Sequence, residues 1–283
     1  MTFIKRSEDG KVSFEEGEHR YYDKDGDYTS VTTLLKEHFE AFDADRIAKL
    51  KADNAKRRNH KKYKNNETIT ELDKKEATQK YWKQQWKEAA EHGTRVHNAL
   101  ENNINKVPQF GGLPETRDQK KYEQGILFME WFFKEHLKAK NVKHYTEVLI
   151  YNKELMTAGQ IDLMSVVDGK TYLLDWKSSR KIDMVAYKNK KGLTETTKHL
   201  ADCNYTKYSL QLGIYKKLLE LKGKELEDCF IIHLMEEDYQ TYKIKDLKET
   251  VDDLLELRRL ELIKPKEDVL SELSRKPKGL NSY

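Results

Sequence analysis

The dipeptide Asp168-Gly169 constrains the fold of this chain more than any other local feature. It separates two largely apolar segments, 160–167 and 170–177, and Asp-Gly in that position is a strong signal for a hairpin with a two-residue type I′ turn. In that register residue numbers fall along one strand as they rise along the other, so Asp162 lies directly opposite Asp175. Facing side chains share one side of a sheet, with Cβ atoms about 4.5–5.5 Å apart. The sequence therefore predicts two neighbouring carboxylates.

Two facing carboxylates between apolar neighbours repel each other, and something must offset that repulsion. Lys177 follows Asp175 by two residues and so points to the same face, where it could also stabilise a developing oxyanion. The repulsion could be relieved by a shared proton, which the lysine disfavours, or by a divalent cation such as Mg2+ or Mn2+. A buried ion pair between Lys177 and one aspartate, with the other aspartate in solvent, is a third solution. On geometry alone the metal site and the ion pair are equally good interpretations.

Further motifs precede and follow this pair in a definite order along the chain. They are Ser30-Val31-Thr32, Gly93-Thr94-Arg95-Val96-His97, Glu147-Val148-Leu149-Ile150, Gly159-Gln160-Ile161-Asp162-Leu163, Leu174-Asp175-Trp176-Lys177-Ser178-Ser179 and Gln211-Leu212-Gly213-Ile214-Tyr215. Together they resemble the PD-(D/E)XK nuclease superfamily, specifically its RecB-like branch with the upstream GTxxH and downstream QxxxY motifs. The SVT triplet is similar to that of the mitochondrial genome maintenance exonuclease group and related phage exonucleases. The motifs span residues 30 to 215, about two thirds of the chain.

The resemblance implies a set of metal ligands. Asp162 and Asp175 would hold the ion together with the backbone carbonyl of Trp176, and His97 would complete the coordination from its helix. Glu147 would be a ligand of a second metal or of a water, or it would only brace the site; a plain surface acid is an equally good interpretation. The implied cofactor is Mg2+ or Mn2+, as one or two ions.

The resemblance also implies three catalytic side chains beyond the two aspartates. Lys177 would act on the nucleophilic water. Gln211 and Tyr215, one helical turn apart, would orient Lys177 or the phosphate of the scissile strand, although the same spacing would serve to cap and pack a helix.

Two kinds of cofactor are excluded by residues that the chain lacks. Several RecB-like enzymes carry an iron–sulfur cluster on four cysteines, whereas this chain has only Cys203 and Cys229. No GxxxxGK[ST] segment occurs, so we expect no bound nucleotide and no nucleotide-driven motor.

The charged residues are partitioned along the chain, although the net charge is only +4. Two basic segments predict a nucleic-acid surface: segment 55–64, and the segment after the strand that carries Asp175 and Lys177. Lysine and arginine bind phosphates along a strand, while aromatic rings stack on unpaired bases. An exposed basic helix face without such a role is the alternative, and Trp82 and Trp86 nearby are as typical of a core as of a stacking surface. The residues assigned to this surface are Lys56, Arg57, Arg58, Lys61, Lys62, Tyr63, Lys64, Arg95, Ser178, Ser179, Arg180 and Lys181.

Hydrophobic periodicity predicts an α/β fold with a small mixed central sheet, flanking helices and an N-terminal helical elaboration. Helices are expected over 32–39, 43–64, 70–92, 94–103, 118–138, 205–222 and 247–262, and further strands over 20–22, 28–31, 145–151, 230–235 and 241–244. We expect one compact unit with an N-terminal hairpin and helical arch over 1–105, a restriction-endonuclease-like core over 106–264, and a flexible tail over 265–283.

The expected activity is metal-dependent hydrolysis of DNA phosphodiesters by an exonuclease that acts on single-stranded ends or flaps. A structure-specific or restriction-type endonuclease with the same site is the first alternative, and a DNA-binding scaffold without catalysis is the second. A recombinase or a single-strand-binding protein is a possible partner of such an enzyme. The sequence shows no apolar membrane span and neither a signal nor a transit peptide, so a cytoplasmic protein of a bacterium or a phage-infected cell is expected.

Overall fold

The computed structural model of the protein describes residues 4–107 and 113–263. The strands in these ranges are β1 (Ile4–Arg6), β2 (Ser13–Glu15), β3 (Arg20–Asp23), β4 (Gly26–Ser30), β5 (Val142–Asn152), β6 (Thr157–Val167), β7 (Lys170–Lys177), β8 (Leu226–Leu234) and β9 (Tyr239–Lys243). The helices are α1 (Val31–Lys36), α2 (Ala44–Lys64), α3 (Glu71–Glu76), α4 (Gln79–Ile104), α5 (Thr116–Glu130), α6 (Asn204–Glu220) and α7 (Lys248–Ile263). Helix α5 continues into one stretch of π-helix over Trp131–His136, and a short 3-10 turn covers Tyr187–Asn189.

These strands form one mixed sheet, so the predicted α/β fold is confirmed. Along the sheet the order is β1-β2-β3-β4-β6-β7-β8-β9, and β5 pairs with β6. The pairs β4–β6 and β7–β8 are parallel, whereas the others are antiparallel. The N-terminal strands therefore extend the same sheet that carries the central hairpin.

Strand β6 has an edge that two strands share. β4 pairs with its first residues, through Thr29–Thr157 and Ser30–Ala158, while β7 pairs only with residues 163–167. Residues 159–162 have a partner in neither β4 nor β7. A gap in the ladder therefore lies beside Asp162.

The apolar side chains form three clusters around the sheet. The α6-side core lies under α1, α6 and α7 and includes Val31, Leu34, Ile161, Leu173, Leu210, Ile214, Tyr215, Ile231 and Leu254. The α5-side core lies under α4 and α5 and includes Val96, Leu100, Phe128, Phe132, Leu163, Leu174, Trp176 and Ile232. The hairpin core joins the N-terminal strands to β5 and β6 and consists of Val12, Phe14, Tyr21, Tyr28, Leu149, Tyr151 and Ala158, with Met156 packed against it.

The N-terminal half differs from the prediction in three places. Strands β1 and β2 were not predicted. The helix expected over 70–92 is divided, because Thr70 and Thr78 each accept a backbone hydrogen bond as separate N-caps of α3 and α4. The expected break at Gly93 is wrong, since α4 runs through it. The predicted tail over 265–283 lies outside the described residues.

Candidate active site

The central hairpin has the predicted register. Backbone pairs run from Val167–Lys170 at the turn to Leu163–Leu174. Both turn residues have positive φ, 48° at Asp168 and 88° at Gly169, as a type I′ turn requires. The carboxylate of Asp168 accepts hydrogen bonds from two backbone N–H groups of segment 140–141, and these contacts help to hold the turn.

Asp162 and Asp175 lie one step beyond the last backbone pair, where the ladder gives way to a side-chain contact. The backbone N–H of Trp176 donates to Asp162 Oδ2 at 2.9 Å, in place of a strand-to-strand bond. This contact ties the carboxylate of Asp162 to the backbone next to Asp175. The structure therefore brings the two predicted aspartates together at the end of the β6–β7 pairing.

Strand β6 also changes face at Asp162. Ile161 packs in the α6-side core, whereas Leu163, two residues further on, packs in the α5-side core. A regular strand would point both side chains the same way. The break in alternation leaves Asp162 partly exposed between two buried neighbours.

Asp175 is a buried carboxylate with a lysine as counter-charge. Its side chain is 4% exposed, and its Oδ2 lies against the ammonium of Lys177. That oxygen accepts no hydrogen bond within the described ranges. Burial raises the pKa of Asp175 to about 6, with a further contribution from the negative charge of Asp162. These two effects together are larger than the opposing effect of the Lys177 ammonium. Burial also raises the pKa of Asp162.

Lys177 is held between the two aspartates and an aromatic ring. Its Nζ lies 4.7 Å from the centroid of the Tyr208 ring on α6. Burial alone would lower the pKa of Lys177, yet Asp175 and Asp162 raise it above its ordinary value. The two aspartates therefore favour the protonated form of Lys177, which can donate hydrogen bonds.

His97 reaches Asp162 from α4. Its Nδ1 lies 3.4 Å from Asp162 Oδ2, and the backbone of Trp176 is within hydrogen-bonding reach of the ring. Burial and the charge of Lys177 lower the pKa of His97 to about 4. A neutral imidazole at pH 7 is the form that binds metals.

Glu147 lies across β6 from Asp162, since it falls between the pairs Thr146–Leu163 and Val148–Ile161. Its φ is 49°, an uncommon conformation for a residue with a side chain. Lys5 Nζ approaches its carboxylate to 3.5 Å. Burial and the charge of Asp162 raise its pKa to about 7. The structure thus places Glu147 at the site and not on an open strand edge.

Gln211 and Tyr215 lie on the face of α6 that covers β6. Gln211 Nε2 donates to the Tyr215 hydroxyl at 3.1 Å. The ring of Tyr215 lies so close to Gly159 that a Cβ on that residue would be 2.4 Å from the ring. Glycine at this position is therefore required by the close approach of α6 to β6.

The donors that the sequence assigned to a metal converge, but they do not form a ready-made cage. No group of three or more His, Cys, Asp or Glu side chains within residues 4–107 and 113–263 has the arrangement of a metal site. The oxygen donors nevertheless fit Mg2+ or Mn2+, because two carboxylates and a backbone carbonyl are ligands that both ions prefer, whereas the imidazole of His97 is a less usual ligand for them. Asp175 Oδ2 is buried and has the ammonium of Lys177 as its ion-pair partner, without a hydrogen bond of standard geometry among the described residues, so the carboxylate retains capacity to bind a cation.

The chain just after Lys177 is fixed by two buried side chains that the sequence did not single out. Lys121 of α5 donates to the carbonyl oxygen of Ser178 at 2.7 Å, and His233 Nε2 of β8 donates to that of Ser179 at 2.7 Å. Helix α4 also passes close by, since a Cβ on Gly93 would lie 3.1 Å from Ser178 Oγ. Three elements therefore contact the segment that begins after Lys177.

A second buried polar network joins α4 to α5. Asp118, fully buried, accepts hydrogen bonds from His92 and Arg95, and Arg95 also reaches Glu115 at 2.5 Å. Burial alone would raise the pKa of Asp118, yet Arg95 and His92 hold it below its ordinary value. Arg95 is thus engaged with acids of this network, and its assignment to DNA stays a prediction.

The basic run of segment 55–64 lies at the end of α2 and divides into paired and unpaired bases. Lys56, Arg58 and Lys62 form ion pairs with Asp53, Glu76 and Asp73, at 3.4, 2.6 and 2.8 Å. No ion pair to Arg57, Lys61 or Lys64 is present in the described part of the chain. Tyr63 is 72% exposed beside them.

The other assigned residues and the nearby tryptophans have simple surroundings. Arg180 and Lys181 are exposed, and Lys181 pairs with Asp183 at 2.6 Å. Trp82 donates to the carbonyl oxygen of Glu76 at 2.9 Å, while Trp86 contacts Phe42 at 5.0 Å between ring centroids. Both tryptophans therefore make contacts within the helical region.

A sequence signal existed for some of the missed residues. Lys121 shares one helix face with Gly125 and Phe128, all of them buried, so a charged residue stands on an apolar stripe. His233 likewise interrupts the apolar run of β8. Tyr208 carried no such signal, because a tyrosine at the start of a helix is unremarkable.

Comparisons with known proteins add little to this geometry. No protein-family model matches the chain, and no curated protein matches it. Among solved structures, the crystal structure of SSO0001 aligns with 15% identity over 64% of this chain and 93% of that chain. Its TM-score of 0.26 carries no argument about fold or function.

Proposed function

We propose that the protein is a metal-dependent DNA exonuclease of the PD-(D/E)XK type that hydrolyses phosphodiester bonds at single-stranded ends or flaps. The observation that carries the proposal is the meeting of Asp162, Asp175 and Lys177 at the end of the β6–β7 ladder, with His97 at Asp162. This is the set of side chains on which the resemblance to that superfamily rests.

The residues of the site divide the chemistry among them. Asp162, Asp175, the carbonyl of Trp176 and His97 would hold Mg2+ or Mn2+, and Glu147 lies close enough to Asp162 to serve a second ion or a water. When bound, such an ion stabilises negative charge on phosphate oxygens and on the leaving oxygen. Lys177, in its protonated form, donates hydrogen bonds to the attacking water or to the charge that develops on the phosphate.

Two structural features, the unpaired bases of α2 and an exposed arginine after β7, support nucleic acid as the substrate. Arg57, Lys61 and Lys64 are free of ion pairs among the described residues, and Tyr63 is exposed between them. Arg180 lies on the surface three residues beyond Lys177. No helix in the described part of the chain is long and apolar enough to cross a membrane.

The proposal is tested with labelled DNA. Single- and double-stranded oligonucleotides labelled at either end are incubated with the protein in Mg2+, Mn2+ or EDTA, and product length is followed over time. We expect progressive shortening of single strands with either ion and none with EDTA. Degradation of closed circular single strands would make the enzyme an endonuclease, and the absence of cleavage with both ions would refute the proposal.

A further inference from the structure

A pocket of about 170 Å3 opens beside Asp162, at the gap that β4 and β7 leave along β6. Its walls come from the β2–β3 turn, β3, the junction of β4 with α1, the open part of β6, and α6. The pocket is therefore contiguous with the candidate active site and lies between the ends of β4 and β7 along the edge of β6.

The lining of this pocket is polar and has little charge. Asp162 is the one carboxylate among its lining residues, which otherwise include His19, Ser30, Thr32, Gln160 and Gln211 and contain no lysine or arginine. A phosphate would need cationic partners or a cluster of N–H donors to replace its hydration. The pocket suits an uncharged, hydroxyl-bearing group.

Tyr21 provides the observation that points to a ligand. The residue is only 3% exposed and lines the pocket, and no hydrogen bond of its hydroxyl is present among the described residues. The hydroxyl is not one of the fully buried polar atoms without a partner, so it is open to the pocket, where a bound group can pair with it. Asp162 and Tyr215 line the same pocket as Tyr21.

The hairpin core lies behind Tyr21. Phe14 stacks on Tyr21 with ring centroids 4.5 Å apart, and Tyr28 pairs with Tyr21 across the β3–β4 hairpin. Both belong to the hairpin core. A strand end that reaches Tyr21 would therefore meet packed apolar side chains beyond it.

We propose that this pocket receives the terminal sugar of the DNA strand, with the Tyr21 hydroxyl bonded to the free terminal hydroxyl group. This inference rests on the proposed function, and it deepens it: the N-terminal hairpin stops the strand, so cleavage occurs next to an end. The 5′ and 3′ ends offer the same hydroxyl chemistry, and the substrates below distinguish them.

The test compares Tyr21→Phe with wild type and with Tyr28→Phe as the matched control. Tyr28 faces Tyr21 on the next strand, but its hydroxyl donates to Asp23 at 2.8 Å, away from the pocket. Since the Tyr21 hydroxyl has no hydrogen-bond partner among residues 4–107 and 113–263, its removal should leave thermal unfolding unchanged. The substrates are internally labelled single strands with hydroxyl at both ends, with 5′-phosphate, with 3′-phosphate, or closed into a circle.

Two readouts are taken for each pair of protein and DNA. Binding is measured in EDTA by fluorescence anisotropy, and kcat/KM is measured in Mg2+. For wild type, phosphate at the recognised end or closure into a circle should weaken binding about tenfold, the worth of one good hydrogen bond. Tyr21→Phe should bind the hydroxyl-ended strand as weakly as wild type binds the blocked one, and Tyr28→Phe should behave as wild type does.

The outcomes separate this inference from the proposed function. Equal binding of linear and circular DNA by wild type, tighter binding of a phosphorylated end, or an unaltered Tyr21→Phe would overturn the pocket. Cleavage without any of the expected end preference overturns the pocket alone. If no DNA is cleaved with either ion, the proposed function fails, while the binding measured in EDTA still decides whether the pocket holds a strand end.

Discussion

The aspartates of the candidate active site and the bases of α2 are held in contrasting ways. Asp162 and Asp175 are placed by strand register, and slipping the strands by one residue would move both to the other face of the sheet. The six bases of segment 55–64 lie at the end of the polar helix α2, where three form ion pairs and three have none among the described residues. The position of a charge is therefore fixed closely by strand register in the first region and only loosely in the second. Substitutions of the aspartates should accordingly have larger effects on activity than substitutions of the bases.

The largest effect is expected from Asp175→Asn. Replacement of a buried charge that would hold a cation should lower the cleavage rate about 10²–10³-fold, the range measured for loss of one preorganised electrostatic group. Binding of single-stranded DNA in EDTA should change little. Asp253→Asn, an exposed aspartate of α7, is the control and should cleave normally. Normal cleavage by Asp175→Asn would refute the proposed mechanism.

A smaller effect on rate is expected from Lys121→Met, which removes the hydrogen bond to the carbonyl oxygen of Ser178. We expect kcat to fall about tenfold with KM nearly unchanged, because the segment after Lys177 is no longer fixed. Lys121→Arg keeps donors and should restore part of kcat. The free energy of unfolding should not fall in parallel, since methionine avoids burial of an ammonium group. A parallel loss of stability and kcat in Lys121→Met would reduce Lys121 to a structural role.

Glu147→Gln is expected to change the way in which the free energy of unfolding depends on pH. The folded-state pKa of about 7 lies above the ordinary value of 4.5, so the folded protein binds this proton more tightly than the unfolded chain does. The contribution of this bound proton to the free energy of unfolding is fully present below about pH 4.5 and is lost as pH rises to about 7. Glutamine stays neutral, so the variant should exceed wild type by about 1–3 kcal/mol at pH 8 and match it near pH 4.5.

The measurement is urea unfolding in EDTA at the two pH values, with the exposed Glu154→Gln as control. If Glu147→Gln were equally stable relative to wild type at both pH values, the carboxylate would have no raised pKa.

The smallest effect is expected on α2, where two adjacent arginines form a matched pair. Arg58 is bound to Glu76 at 2.6 Å, whereas Arg57 has no ion pair within the described residues. Arg57→Gln should weaken binding of single-stranded DNA a few-fold at low salt and reduce the slope of log K against log salt by about 0.7, one phosphate contact. Arg58→Gln should leave that slope nearly unchanged. Equal slopes for the two variants would mean that α2 does not contact DNA.

The hairpin shows what the sequence could predict. Asp-Gly fixes a two-residue turn, a two-residue turn fixes the register, and the register places Asp162 against Asp175. Each step depends on neighbours in the sequence, so no tertiary knowledge was needed. The helix α6, with its apolar residues on a periodic face, was equally predictable within one or two residues.

Other features depend on contacts between distant residues. Gly93 was expected to end a helix because glycine is a poor helix former. In the structure it allows α4 to approach Ser178, and the helix continues. The change of face at Asp162 and the positive φ of Glu147 likewise arise where three strands meet, so no local pattern predicts them. The pocket with Tyr21 depends on the parallel pairing of β4 with β6, which joins residues far apart in sequence.

That parallel pairing has a consequence for the order of folding. Thr29 and Thr157 are more than one hundred residues apart, whereas the β5–β6–β7 meander closes over short turns. Closure of a long loop costs more chain entropy, so local pairings form first. During synthesis, β4 of the N-terminal hairpin cannot pair with β6 until β6 has emerged from the ribosome. The two aspartates would thus come together on a unit that folds early, and the N-terminal hairpin beyond Asp162 would dock late. A partly folded chain would therefore hold both carboxylates in place before the hairpin limits which part of a DNA strand can reach them.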